Sequence, residues 1–166
     1  MSRYNIFIYD LPNLAGWQFP ENWLIVDAKQ RAAPCQGCFN CWLKTPGMCS
    51  MKDSFQHIGA AIAQSNEVVL VSQCCYGGFS ASVKRVLDRS ISISLPFFTY
   101  RAGRVHHIPR YRNAPALTVC FYGLITNFER ETAQRLAEAN RINLGCKSLR
   151  LLFADGPEQV KEVLAR

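Results

Sequence analysis

Apolar residues in this chain fall into short unbroken runs separated by stretches with helical spacing. That alternation predicts a mainly parallel sheet with helices on its faces. The first run is Tyr4 to Tyr9, and a second short strand is expected at Trp23-Leu24-Ile25-Val26-Asp27. Phe55, Ile58, Ala61 and Ile62 recur at helical spacing, with Asp53 as a plausible N-cap. Glu67-Val68-Val69-Leu70-Val71-Ser72 is β-branched and uninterrupted, the pattern of a strand buried on both faces. A helix from about Ser80 to Ile91 follows, with Val83, Val86 and Leu87 on one stripe. Pro115 to Tyr122 is the next buried strand, ended by Gly123. Asn127 can then cap a helix from Phe128 to Arg141, with Glu129 and Glu131 well placed in its first turn. Lys147 to Phe153 is the last strand, and Pro157 opens a closing helix. Ser94 to Pro115, with three prolines and many basic and aromatic residues, is expected to be an irregular excursion.

Five strands with helices between most of them predict a doubly wound α/β fold, a five-stranded parallel sheet in the order 2-1-3-4-5. In such a sheet ligand binds at the carboxyl ends of the strands. At 166 residues, with no internal repeat or linker, the chain is expected to form one domain spanning 1–166. The junction of the first two strands departs from the pattern. Asp10-Leu11-Pro12-Asn13-Leu14-Ala15-Gly16-Trp17-Gln18-Phe19-Pro20 holds two prolines and a glycine, so the first helix is expected to be missing or very short. Trp17, Phe19 and Trp23, or a second subunit, would then cover the sheet face that this helix leaves bare.

Composition narrows the setting. Hydrophobic residues make up 49% and charged residues 19%, a globular balance. No segment approaches the roughly 18–20 apolar residues of a membrane span. The N-terminus lacks a signal peptide's apolar region and cleavage site, so a cytoplasmic protein is expected. Eight cysteines in that compartment point to thiols, a metal site or redox chemistry rather than disulfides. The net charge of +7 is not gathered into one run and no array of stacking aromatics accompanies it, which argues against nucleic acid. It suits attraction of phosphorylated cofactors or substrates equally well.

The segment richest in chemistry runs from Val71 to Arg89, between a buried strand and a helix, where an α/β sheet holds its ligand. Gly77 and Gly78 would let backbone approach a flat ring, and Tyr76 offers an aromatic wall with a polar tip. An ordinary strand-to-helix turn also needs a glycine. Cys35, Cys38, Cys41 and Cys49 have the spacing C-x2-C-x2-C-x7-C, which suits a four-iron cluster, a zinc site or simply packed thiols. Cys74 and Cys75 are most simply small residues filling space. His106 and His107 with Arg101, Arg104, Arg110 and Arg112 form a basic patch that would take phosphates or an acidic substrate, or face solvent. His57 reads as structural, Lys84 and Arg85 as an exposed helix face, and Asp88-Arg89 as an ion pair.

The 72–89 loop and helix resemble the SP-x-Y-x-G-x-x-S-x-x-(L/V)-K-x-x-(L/I)-DR pattern of the NAD(P)H-dependent FMN reductase family in the flavodoxin-like superfamily. Cys35-Gln36-Gly37-Cys38-Phe39-Asn40-Cys41-Trp42 through Thr45-Pro46-Gly47-Met48-Cys49 is similar to a cysteine-rich stretch in one branch of it, as is Gly103 to Tyr111. The resemblance implies FMN at the strand ends and hydride transfer from NAD(P)H through the flavin to an acceptor. It implies flavin contacts from Gln73, Cys74, Cys75, Tyr76, Gly77, Gly78 and Ser80, and from Tyr122, Gly123 and Leu124. It also implies a homodimer, or pairing with a homologous subunit. Iron–sulfur members of the family have a tighter spacing to the fourth cysteine, whereas many with the Thr-Pro-Gly spacer carry no metal. Family members usually follow strand one with a serine- and glycine-containing turn whose amides hold the FMN phosphate. Here Pro12 lacks an amide hydrogen and Asp10 would repel a dianion. Two further functions therefore stay open: a non-catalytic binding or partner subunit, and an iron–sulfur electron carrier.

Overall fold

In the computed structural model, which describes residues 4–101 and 103–166, the chain forms β1 (Asn5–Tyr9), β2 (Trp23–Asp27), α1 (Asn40–Leu43), α2 (Ile58–Gln64), β3 (Glu67–Cys75), β4 (Gly78–Phe79) and α3 (Ala81–Arg89). The second half holds β5 (Ser94–Arg101), β6 (Arg104–Pro109), β7 (Ala116–Tyr122), α4 (Asn127–Asn143), β8 (Ser148–Ala154) and α5 (Val160–Ala165). β2, β1, β3, β7 and β8 pair in that order, all in parallel, which is the expected 2-1-3-4-5 arrangement. No helix separates β1 from β2.

The two faces of the sheet are buried differently. Successive strand residues point to opposite sides, so Ile6 and Ile8 join Leu70, Val119 and Phe121 under α2, α3 and α4, while Phe7 joins Val69, Val71, Cys120 and Tyr122 on the other side. There α5 covers part of the sheet through Val160, and the loop after β1 covers the rest. Trp17 and Phe19 stack at 5.6 Å between ring centroids, and both pack on Phe7 at 5.3 and 5.0 Å, with Trp23 beside Phe19. The chain itself supplies the cover.

Several local expectations are corrected. The 94–115 segment is regular: β5 and β6 form an antiparallel hairpin, with Phe98 opposite His107 and Tyr100 opposite Val105. Pro96 sits in the register irregularity between Ser94 and Phe98, Pro109 ends β6 and Pro115 lies beyond the ribbon, so none takes an amide from the regular pairing of 98–101 with 104–107. The cap of α4 is Thr126, not Asn127. Its hydroxyl accepts from the Glu129 amide while Glu129 accepts from the Thr126 amide, a capping box. Asp53 caps no helix, since α2 begins only at Ile58.

Asp53 instead meets Arg89, which lies fully buried at the end of α3. The guanidinium reaches both carboxylate oxygens, at 2.7 and 2.8 Å, and donates to the Ala33 carbonyl at 2.7 Å. Arg89 therefore does not pair with Asp88. Neighbouring helix residues point about 100° apart, so Asp88 faces outward and pairs with Lys84 one turn back. Arg85 is also turned inward rather than solvated, donating to the carbonyls of Ala28, Gln30 and Ala32. One helix thus clamps the segment after β2 with two arginines a turn apart.

The Arg89 guanidinium holds the Asp53 carboxyl down to about 2. A folded value below the unfolded one stabilises the protein at pH above the ordinary carboxylate range, and this is lost as pH falls from about 4 towards 2. The group is expected to contribute roughly 2 kcal/mol to that acid limb. Asp53→Ala, which strands a buried guanidinium, is expected to cost about 3–5 kcal/mol in urea unfolding at pH 7 and to flatten the limb.

Candidate functional site

The carboxyl ends of β1, β3 and β7 meet at one end of the sheet, and the residues expected to form the site gather there. β3 does not stop at Ser72 but runs on to Cys75, reverses and returns as β4, with Cys74 opposite Phe79 and Cys75 opposite Gly78. The turn residues Tyr76 and Gly77 have φ of 54° and 78°, the pair of positive angles that a two-residue type I′ hairpin demands. The expected strand-to-helix loop is therefore a tight hairpin. Its base is fixed to α3: the Ser72 hydroxyl accepts from the Ser80 amide at 2.9 Å, and the Ser80 hydroxyl accepts from the Val83 amide as the helix N-cap.

Gly77 is bare for a reason other than ligand approach. A Cβ there would lie 2.6 Å from the Thr132 Cβ and 2.7 Å from the Glu129 carbonyl oxygen, so the hairpin tip packs directly on the first turns of α4. Tyr76 is thereby thrown outward, 93% exposed, in a backbone region that costs a bulky L-residue about 1–2 kcal/mol. Gln73 and Cys75 are exposed beside it, while Cys74 is half-buried with its thiol pushed up by burial. Gln73 pairs with Tyr122 on the adjoining β7, so the loop that follows that strand lies alongside. In it Gly123 donates to the Ala154 carbonyl, and Leu124 is 97% exposed. Phe128, on the first turn of α4, is also largely exposed, and nothing in the sequence singled it out.

Tyr122 and Asp10 lie behind this rim. The Tyr122 ring is buried, and its hydroxyl donates to the Asp10 carbonyl at 3.3 Å; burial, and then the nearby Asp10 carboxylate, push the phenol up. The Asp10 carboxylate, itself buried, accepts from the Gln73 amide at 3.0 and 3.2 Å. One aspartate thus ties the ends of β1, β3 and β7 together and occupies the Gln73 amide. In the loop that follows, lysines answer several of the carbonyls. Lys29 donates to the Leu11 and Pro12 carbonyls, and Lys161 to that of Gly16 at 2.6 Å.

The remaining candidates lie elsewhere. Cys35, Cys38, Cys41 and Cys49 line a cavity of about 30 Å³ beside Arg89. Cys38 is exposed, its thiol held low by the Asn40 backbone and the Ser50 hydroxyl, while burial pushes Cys41 up. Among the described residues no three His, Cys, Asp or Glu side chains are arranged to hold a metal ion. The basic patch is divided. Arg110 turns inward to the Ser92 carbonyl, His107 to the Leu95 carbonyl, and only Arg104 and Arg112 are fully exposed. His57 directly precedes α2 and makes no side-chain cap.

Solved structures share this architecture. The chain superposes on an azoreductase from Bacillus anthracis str. Sterne with a TM-score of 0.60 at 11% identity, covering 99% of this chain and 94% of that one. An NAD(P)H:quinone oxidoreductase from Methanothermobacter marburgensis gives 0.56 at 9% identity, over 92% and 86%. An FMN-dependent NADH-azoreductase from Bacillus anthracis str. Ames Ancestor, in complex with FMN, gives 0.54 at 10%, over 92% and 86%. These likenesses establish the flavodoxin-like fold. No family model matches the sequence, and no curated protein matches it significantly. Among the described residues no helix is long and apolar enough to cross a membrane.

Two glycines with similar backbone angles separate conformation from packing. Gly103, at φ 76°, has nothing within 4 Å of an added Cβ, so Gly103→Ala is expected to cost about 1 kcal/mol. Gly77→Ala adds overlap with α4 and is expected to cost about 2–4 kcal/mol in urea unfolding.

Proposed function

We propose that the exposed end of the sheet is a flavin-ring site, and that the protein is an FMN-type flavoprotein oxidoreductase drawing on NAD(P)H. The observation that carries this is the strained, outward-facing Tyr76 on its I′ hairpin, with Gln73 and Cys75 beside it and Leu124 across the neighbouring strand end. An exposed aromatic held in a costly conformation, at the edge where α/β sheets bind ligands, suits a platform for a flat ring. On this reading Gln73, Cys74, Cys75, Tyr76, Gly77 and Gly78 border one side of the isoalloxazine and Tyr122, Gly123 and Leu124 the other, while Ser80 positions the hairpin through α3. Structural neighbours that include FMN-dependent reductases support it. The bound flavin would take hydride from the nicotinamide and pass electrons on; the protein supplies position and electrostatics.

The phosphate end fits less well. With no helix after β1 there is no bundle of free N-terminal amides, Pro12 lacks one altogether, and the Asp10 carboxylate holds the Gln73 amide. That observation favours a second reading, a non-catalytic subunit that offers the same apolar rim to a homologous chain or to a second copy.

A titration separates the two. Gently purified protein is expected to quench the fluorescence of added FMN and riboflavin alike, with FMN favoured by no more than about tenfold because its phosphate gains little. Tyr76→Ala is expected to weaken both about fivefold, the loss of roughly 1 kcal/mol of ring contact. Slow NADH or NADPH oxidation by a quinone should then require added flavin. If neither flavin binds, the flavin site is abandoned and the partner-subunit reading takes its place.

A further inference from the structure

A second and larger cavity lies on the α3–α4 face of the sheet. It has a volume of about 550 Å³, is partly open to solvent, and is bordered by α3, the second half of α4 and the β5–β6 hairpin. That is within the roughly 300–1,000 Å³ typical of small-molecule sites. Its walls are apolar, with Phe79, Leu87, Ile93, Leu136 and Leu144 among them. Polar groups come from all three elements: Lys84 and Asp88 from α3, Asn140 and Asn143 from α4, and Arg101, His106 and His107 from the hairpin.

Two of those groups each leave one nitrogen without a partner among the described residues. Arg101 gives one N–H to the His107 carbonyl at 3.3 Å, but its Nε is buried without an acceptor. His106 meets Asn143 through Nδ1 at 3.2 Å, and its Nε2 is likewise buried and unpaired. In the hairpin, Thr99 faces His106 and Arg101 faces Arg104. Arg101 and His106 are therefore diagonal neighbours on one face, roughly 7–8 Å apart at Cα and within joint reach of one small group. The one carboxylate that lines the cavity, Asp88, already pairs with Lys84. A permanent cation is left with an unanswered N–H at the end of an apolar chamber.

A buried donor on a charged group is costly to leave unpaired, and a carboxylate answers it with a charge-assisted hydrogen bond. An acid without an apolar body would leave the walls wet, and an apolar body without an acid would leave Arg101 unanswered. We propose that this cavity binds a small organic acid with a flat body of one or two rings. Its carboxylate would sit on the Arg101 Nε–H, with a proton shared between the second oxygen and His106 Nε2, and its rings would lie against Phe79, Leu87 and Leu136. The proposal does not rest on the flavin reading. Although Gly78 and Phe79 of β4 reach this cavity, its acid end, where His106 meets Asn143, lies roughly 16 Å along α4 from Thr132, which packs on Gly77.

The test compares 2-naphthoate with uncharged 2-naphthamide by saturation-transfer NMR and thermal shift, on flavin-free protein. The acid is expected to bind at least about tenfold tighter than the amide. Arg101→Gln should bring the acid down to the level of the amide and leave the amide unchanged. Leu136→Trp should exclude both, and Leu144→Phe serves if that variant does not fold. Equal binding of acid and amide, acid binding untouched by Arg101→Gln, or no binding of either overturns the proposal. So does a dimer in sedimentation velocity that comes apart in Leu136→Trp, which assigns the cavity to a second copy of the chain.

Discussion

A parallel sheet has both faces apolar and both must be covered. In a doubly wound fold the connecting helices do this, and here one connection is too short and too proline-rich to make one. Rings solve the problem: Trp17 and Phe19 of the loop, with Trp23 at the start of β2, pack on Phe7 where a helix would have lain. Much of what distinguishes this protein follows from that substitution. A helix after β1 would have brought free amides to the end of the sheet. An aromatic loop brings carbonyls, which face Lys29 and Lys161, and the buried Asp10.

Asp10 then reorganises the strand ends. By accepting from the Gln73 amide, and lending its own carbonyl to Tyr122, it draws three strand ends into one polar knot. Both oxygens of that buried carboxylate share the one Gln73 amide hydrogen. The proposed ring site is built outside that knot, on side chains rather than backbone: Tyr76 at the hairpin tip and Leu124 beyond β7. On the proposed reading, ring contacts would come from these side chains, while the loop after β1 offers no helix N-terminus to a phosphate.

On the opposite face α3 is the organiser. Arg85 and Arg89 fasten the segment after β2, and through it the cysteine-rich stretch, while Val83 and Val86 of the same helix enter the core. Leu87, Lys84 and Asp88, on a third side, border the large cavity beneath the hairpin. Nine helical residues therefore serve the core, the loop and the proposed acid site at once. The 3.6-residue period allows it, because it turns each of these sets in its own direction.

Local pattern determined the five parallel strands and the absent first helix, because burial of alternate residues and the stiffness of proline act over a few neighbours; the 2-1-3-4-5 order came from the commonest doubly wound topology, and β4 and the β5–β6 hairpin were not legible. It also placed Tyr76 and Gly77 directly after a buried strand, at the carboxyl end of the sheet, while Leu124 was singled out only by the family resemblance. Only the tertiary structure decided what each group touches. The Asp10–Gln73 bond joins residues 63 positions apart, the Arg89–Asp53 pair joins residues 36 apart, and Gly77 is bare because of a helix about fifty residues on. Sequence spacing offered Arg89 the adjacent Asp88 and offered Asn127 as a cap; geometry chose Asp53 and Thr126. Partners so distant along the chain are selected by how the elements pack, and no local periodicity carries that choice.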